Sequence, residues 1–256
     1  MPLRPRLHSR VGPVGDAFRV IVGTTLVRVP PELRFLLAPR HREGEVQVAL
    51  DGTSSLGHVV ESLGVPRTEV GGLAVSGAEV GPAYRPADGD VVDVQPVRRP
   101  QPVPAHRYLL DVHLGALARR MRLVGLDTAY RNDADDAELV AEAEAQQRVL
   151  LTRDRGLLRR RALTAGAFVR GEQADDQLAD VLDRFAPELA PWTRCLACNG
   201  RLEPVPVEAV AHLLEPGTLR TYDDFSRCRG CGRAYWRGAH ARRLAAVIDL
   251  ATSPRR

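Results

Sequence analysis

The stretch RYLLDVHLGALARRMRLVGLDTAYRNDADDAELVAEAEAQQRVLLTRD, residues 107–154, alternates short apolar runs with amphipathic helical patterns. The apolar runs have the length of buried strands, and the segments between them repeat apolar residues at helical spacing. Such alternation predicts an α/β fold in which helices flank a parallel sheet. Continued to residue 186, the pattern predicts strands at 107–111, 127–130, 148–152 and 167–170, and helices at 113–125, 136–147, 155–166 and 175–186.

Carboxylates stand where two of these predicted strands end. Asp111 ends the first strand, and Asp154 follows the strand at 148–152. Open parallel sheets bind ligands at the carboxyl ends of their strands, so we expect the two aspartates to meet there. Neighbouring carboxylates repel unless a cation lies between them, and Mg²⁺ or Mn²⁺ prefers oxygen ligands of this kind. The pattern therefore favours a divalent-metal site, at which water can attack a phosphodiester.

Further acidic residues begin two of the predicted helices. Asp136 opens the second helix and is a third candidate ligand, whereas Asp135 matches a capping box and is expected to cap that helix. Asp175 or Asp176, at the start of the last helix, is the candidate for a fourth acidic residue. Helix capping is the competing interpretation for the acidic residues at the start of both helices.

All four cysteines lie in two Cys-x-x-Cys knuckles. Paired knuckles supply four thiolates in the tetrahedral arrangement that Zn²⁺ prefers. Two disulfides are the alternative, and the expected cytoplasmic setting argues against them. Because four protein ligands leave no open position, this zinc is expected to be structural. The predicted ligands are Cys195, Cys198, Cys228 and Cys231.

The charge of the chain is uneven. All 36 basic residues are arginine, and the net charge is 0 over residues 1–98, −1 over 99–190 and +5 over 191–256. A basic segment beside an acidic one indicates a polyanionic partner such as RNA. The planar guanidinium suits phosphate, although the base composition of a GC-rich genome explains the missing lysine as readily.

No part of the sequence has the apolar length of a transmembrane helix. Residues 1–16 lack the apolar segment of a secretory signal and are expected to be flexible. We therefore expect a soluble cytoplasmic protein with no membrane partner.

The segment 17–97 has the element order of a β-grasp domain. Strands are predicted at 17–23 and 45–52, a helix at 54–64, a hairpin at 72–80 and a last strand within 84–97. The stretches ALDGTSSLGHVVESLGVP and ADGDVVDVQPV resemble the ubiquitin-like sulfur-carrier proteins of bacteria. The resemblance implies the fold. Sulfur carriers end in a free Gly-Gly, whereas VQPVRRPQ continues into more chain, so a sulfur-transfer role is disfavoured.

Alternating prolines separate this segment from the next. Pro100, Pro102 and Pro104 predict a stiff, extended linker at 98–105. A domain boundary is therefore expected there.

The stretch LLDVHLGALARRMRLVGLDTAY resembles the PIN-like ribonuclease domain found at the C-terminus of the Mut-seven exonuclease. RCLACNGRLEPV and RCRGCGRAYW are similar to the zinc ribbon that accompanies it. The resemblance implies a PIN-like nuclease over 106–190 and a zinc ribbon with a C-terminal tail over 191–256. It also implies a ribonuclease dependent on Mg²⁺ or Mn²⁺, whose metal-binding acids fall on Asp111, Asp136 and Asp154.

Arginines flank both predicted metal sites. We expect Arg119 and Arg155 to contact RNA phosphates near the acidic site. Near the zinc, Arg229 and Trp236 are expected to hold unpaired RNA by charge and stacking. Salt bridges and packing within a small domain are the competing interpretations. The alternative function is a non-catalytic RNA- or ribosome-binding module in which the acids are structural.

Overall fold

The first sheet of the protein is a five-stranded mixed sheet. In the computed structural model, which describes residues 23–238, 245 and 247–249, its order is β2–β1–β5–β3–β4. Strand β1 pairs antiparallel with β2 and parallel with the central strand β5. The strands are β1 (Gly23–Arg28), β2 (Glu45–Leu50), β3 (Val70–Val75), β4 (Ala78–Val80) and β5 (Val91–Pro96).

Helix α1 (Leu56–Ser62) covers one face of this sheet, which completes a β-grasp fold. The hydroxyl of Ser55 caps the helix by accepting the amide of His58. Of the strand predicted at 17–23, all but Gly23 lies outside the described residues. The first described strand is Gly23–Arg28, where Thr25 and Val27 are the buried side chains. Residues 1–16, for which we expected a flexible segment, lie outside the described residues.

The second sheet is four-stranded, and all of its strands are parallel. Its order is β7–β6–β8–β9, which confirms the α/β prediction. The elements are β6 (Arg107–Leu110), α2 (Gly115–Leu123), β7 (Asp127–Tyr130), α3 (Asp136–Gln146), β8 (Val149–Thr152), α4 (Arg155–Leu158), β9 (Gly166–Phe168) and α5 (Ala174–Phe185).

Side chains of the central strands pack on both faces of this sheet. Leu110 and Leu151 join the cluster that contains residues of α2 and α5. Leu109 and Leu150 point the other way, into the cluster of α3 and α4. Burial on both faces explains why these strands read as continuous apolar runs in the sequence.

The helix predicted at 155–166 is much shorter in the structure: α4 begins at Arg155 and ends at Leu158. Beyond this turn, the side chain of Arg67 donates to the backbone carbonyls of Arg160, Arg161 and Leu163. A continued helix would need these carbonyls for its own amides. The long-range contact therefore satisfies the backbone without a helix.

The third sheet is small and antiparallel, with the order β10–β11–β12. Its strands are Leu202–Val205, Phe225–Cys228 and Ala234–Trp236, and helix α6 (Pro216–Thr221) lies between the first two in the chain. The buried Arg122 of α2 joins this ribbon to the parallel sheet by donating to the carbonyls of Leu196 and Ala197.

The β-grasp domain is joined to the parallel sheet by a buried ion pair. Nη1 of Arg184 on α5 lies 2.8 Å from a carboxylate oxygen of Glu69, and both side chains are 1% exposed. The proline-containing segment 98–105 is held against the same helix. There, Arg99 pairs with Asp180 and Asp183.

The helices of the described residues are all too short or too polar to cross a bilayer.

Candidate functional site

Asp111 and Asp154 lie at the carboxyl ends of adjacent strands, β6 and β8, as the sequence predicts. The hydroxyl of Thr152 links them. It donates to Oδ2 of Asp111 at 2.6 Å and accepts from the backbone amide of Asp154 at 2.8 Å. Thr152 is fully buried, and the sequence pattern does not single it out. The feature of the sequence that could have identified Thr152 is its position at the end of a predicted strand, two residues before Asp154.

Asp111 is a buried carboxylate without a counter-charge among the described residues. It is 6% exposed and accepts the Thr152 hydroxyl, but no arginine or histidine of the described chain pairs with it. The other carboxylate of similar burial, Glu69, pairs with Arg184. A buried charge is unfavourable unless a partner compensates it. The donor chemistry at Asp111 therefore fits a bound cation.

Asp154 is exposed and also caps α4. Its Oδ1 accepts the amides of Gly156 at 2.6 Å and Leu157 at 3.4 Å. These two bonds fix the orientation of the carboxylate while the turn is formed. Oδ2 has no hydrogen bond among the described residues and is available to a ligand.

Asp136 begins α3 and pairs with Arg160, whose Nη2 lies 3.2 Å from Oδ2. The preceding Asp135 forms a full capping box with Glu138, which confirms the capping interpretation for that residue. The two neighbouring aspartates therefore differ in role. Asp135 caps the helix, and Asp136 pairs with an exposed arginine.

The candidates for a fourth acid do not cap α5. The N-cap residue is Gln173, without a side-chain cap, so the capping interpretation fails for both aspartates. Asp175 pairs with Arg120 at 2.6 Å. Asp176 is exposed and has no hydrogen bond or ion pair among the described residues. Asp176 is thus the acid that remains available.

The acids do not form a closed cluster. Within the described part of the chain, the one group of three or more His, Cys, Asp or Glu side chains close enough to share an ion is formed by the four cysteines. Asp111 and Asp154 follow adjacent strands, and Asp136 begins the helix that follows β7. Two of them are held there by Thr152 and Arg160.

The arginines near the strand ends differ in their partners. Arg119 on α2 is exposed, and no described residue pairs with it. Arg155 donates instead to the backbone carbonyl of Leu36 in the β-grasp domain, at 2.6 Å. Arg119 is therefore the arginine that is available to a ligand.

The four cysteine sulfurs come together at one end of the ribbon, all within 4.8 Å of one another. Sγ of Cys195 lies 3.6 Å from that of Cys231, and Sγ of Cys198 lies 3.4 Å from that of Cys228. These distances are too long for a disulfide. Four sulfurs at about 2.3 Å from a tetrahedral zinc lie about 3.8 Å apart, so the cluster fits Zn²⁺.

Tyr235 supports the cysteine cluster. Its hydroxyl lies 3.0 Å from Sγ of Cys195 and accepts the amide of Leu196. Burial alone would raise the pKa of Cys195, but the Tyr235 hydroxyl and nearby backbone amides outweigh it and lower this pKa to about 6. The thiolate form of Cys195, the form that binds zinc, is therefore favoured. Tyr235 thus serves the ribbon itself, as the packing interpretation holds.

The ribbon also carries the two residues predicted to hold RNA there. Arg229 is exposed and pairs with Glu203. Trp236 is 37% exposed. It borders a groove of about 620 Å³, together with Trp192 and Arg237, whose guanidinium stacks 5.9 Å from the Trp192 ring centre.

Two protein-family models match this chain, one in each half. A family model described as the Mut7-C RNAse domain matches residues 106–248. A second model, described as Mut7-C ubiquitin, matches residues 23–102. Neither the curated proteins nor the solved structures gave a significant match.

Proposed function

Because this chain belongs to the Mut7-C RNAse domain family, we propose that it is a divalent-metal-dependent ribonuclease that hydrolyses RNA phosphodiester bonds. In this proposal, residues 17–97 form the ubiquitin-like domain, 98–105 connect it, 106–190 cut RNA and 191–256 hold RNA. A cytoplasmic location keeps the zinc thiolates reduced.

The observation that carries this proposal is that the buried carboxylate of Asp111 has no positively charged partner among the described residues. Glu69 and Asp127 both have arginine partners, whereas the side chain of Asp111 has only the Thr152 hydroxyl as a partner in the part of the chain that the structure describes. A carboxylate kept free of arginine at the carboxyl end of a parallel strand suits a metal cation.

Asp111, Asp154 and Asp136 would hold the metal, and Asp176 is our candidate for the fourth acid. When bound, Mg²⁺ or Mn²⁺ supplies an activated water and neutralises the charge that develops on the phosphate. Thr152 fixes the Asp111 carboxylate by a hydrogen bond. Arg119 is placed to pair with a neighbouring phosphate of the RNA, because its guanidinium has no partner among the described residues.

The direct test is cleavage of a labelled single-stranded RNA by the full chain, with Mn²⁺ or with EDTA. We expect cleavage with Mn²⁺ and none with EDTA. RNA binding without cleavage at any Mn²⁺ or Mg²⁺ concentration would contradict the proposal and favour the non-catalytic binding module.

The proposal gives the ribbon the task of holding RNA, through Arg229 and Trp236. The positive charge of residues 191–256 supports this division, since the acidic domain by itself repels a polyanion. Deleting the ribbon is a poor test, because deletion also removes the carbonyls that accept from the buried Arg122. Substitution of exposed arginines leaves this junction intact.

The double variant Arg229→Ala, Arg233→Ala is expected to raise KM while kcat stays unchanged, which is the pattern of lost uniform binding. The slope of log affinity against log salt should fall by about one for each phosphate contact that is removed. Titrations of RNA at several salt concentrations measure both effects. Arg85→Ala is a matched control, because Arg85 is exposed in the ubiquitin-like domain. An unchanged affinity and slope in the double variant would assign RNA holding to the acidic domain.

A further inference from the structure

We propose that Arg67 of the ubiquitin-like domain is a positioning residue for the nuclease site, because it holds the turn that orients Asp154. This inference rests on the proposed function for its catalytic consequence. It gives the N-terminal domain a task within the same chain, in place of sulfur transfer.

Arg67 contacts the chain directly after α4. Its Nη2 lies 3.2 Å, 2.7 Å and 2.6 Å from the carbonyl oxygens of Arg160, Arg161 and Leu163. One guanidinium nitrogen from the ubiquitin-like domain thus contacts three carbonyls within the four-residue segment 160–163 of the nuclease domain. Without it, the carbonyls of Arg161 and Leu163 have to find water or rearrange, whereas the carbonyl of Arg160 still accepts the amide of Leu163.

The ubiquitin-like domain also holds the beginning of α4. Arg155, the first residue of the helix, donates to the carbonyl of Leu36 at 2.6 Å. Leu36 is fully buried in the core of the ubiquitin-like domain. Both ends of the α4 segment are therefore anchored to the same neighbouring domain.

The anchoring matters because α4 has only four residues. A single helical turn has little stability of its own, since nucleation fixes several residues for each hydrogen bond formed. Asp154 is oriented by the amides of Gly156 and Leu157, which point at its carboxylate only while this turn is formed. Loss of the anchor should therefore release Asp154.

The same segment reaches a second acid of the proposed site. Arg160, whose carbonyl accepts from Arg67, donates its own side chain to Asp136. Two of the three proposed metal ligands are thus adjacent to the anchored segment. The third, Asp111, is fixed by Thr152 inside the sheet and should not depend on Arg67.

Arg67 can be removed without undocking the domain. The exposed Arg67 makes its contacts at the periphery of the interface, whereas Glu69 and Arg184 form its buried ion pair. Phe168 packs on Phe35 of the ubiquitin-like domain as well, with ring centres 5.2 Å apart. Arg67→Ala should therefore loosen the segment after α4 while the interface between the two domains stays formed.

The experiment compares Arg67→Ala, Arg67→Lys and the control Arg85→Ala in the full chain. Hydrogen exchange of peptides covering 154–164 should become faster in Arg67→Ala and stay unchanged in the control. Mn²⁺ affinity by calorimetry and kcat on RNA should each fall about 10- to 100-fold, as for residues that orient metal ligands, with KM unchanged. Arg67→Lys should restore much of the loss, because an ammonium can replace a single donating nitrogen.

The outcomes separate this inference from the proposed function. Unchanged exchange at 154–164, Mn²⁺ affinity and kcat in Arg67→Ala would overturn the inference, while an active wild type would leave the ribonuclease assignment standing. An inactive wild type would overturn the assignment, and the exchange and Mn²⁺ measurements would still decide the role of Arg67. Faster exchange throughout 70–96 in Arg67→Ala would indicate general loosening of the domain and also contradict a positioning role.

Discussion

Asp154→Asn is expected to leave the fold intact and to reduce metal-dependent RNA cleavage at least about 100-fold, since changes beside a metal ligand already cost about 10- to 100-fold. The amide removes one negative charge from the proposed metal site. It still offers an oxygen to the amides of Gly156 and Leu157, because Asn caps helices about as well as Asp. Cleavage rates at saturating Mn²⁺, with Mn²⁺ affinity by calorimetry, measure the loss.

Asp133→Asn is the matched control for this variant. Asp133 is exposed near the same edge of the sheet and has no hydrogen bond or ion pair among the described residues. The control makes the same change of charge and should keep full activity. Cleavage by a folded Asp154→Asn protein at the rate of the wild type would remove Asp154 from the site.

Cys228→Ser should abolish zinc binding and unfold the ribbon. The wild type is expected to contain one zinc per chain, and structural zinc in small domains stabilises them by about 10–16 kcal/mol at neutral pH. Cys228 is buried and lies 3.4 Å from Cys198, so the serine leaves the cluster with three thiolates. Metal analysis gives the zinc content, and limited proteolysis should show new cleavage within 191–238.

The nuclease domain should persist in this variant, because the parallel sheet has its own cores on both faces. Its melting temperature should fall, since Arg122 loses the carbonyls of Leu196 and Ala197 and remains buried without them. Ser226→Ala, on the same strand, is the control and should keep its zinc. Wild-type protein purified under reducing conditions without any zinc would contradict the Cys₄ site.

Local patterns predict much of the fold. The β-α units follow from apolar runs bounded by capping residues, and the Asp135 capping box can be read directly from the sequence. The zinc ligands can also be predicted from local patterns, because two short Cys-x-x-Cys knuckles contain all four of them. The strand-end positions of Asp111 and Asp154 follow from sheet topology alone.

Contacts between distant parts of the chain account for what the patterns miss. Arg155 suggests a phosphate contact beside Asp154, but a carbonyl 119 positions earlier takes its side chain. The predicted helix at 155–166 stops after one turn, and Arg67 binds the carbonyls of the segment that follows. The linker prolines predict a stiff, extended segment, but they do not predict that Arg99 pairs with Asp180 and Asp183 of α5. None of these partners has a signal in the neighbouring sequence.

The Glu69–Arg184 pair limits how far the two halves of this protein can be exchanged with those of other proteins. A foreign nuclease without the arginine would leave Glu69 buried and uncompensated, and a foreign ubiquitin-like domain would do the same to Arg184. Removing one member of a buried pair typically costs about 3–5 kcal/mol. Chimaeras of this chain should therefore be stable only when both members of the pair are present, so the two domains have to be engineered together.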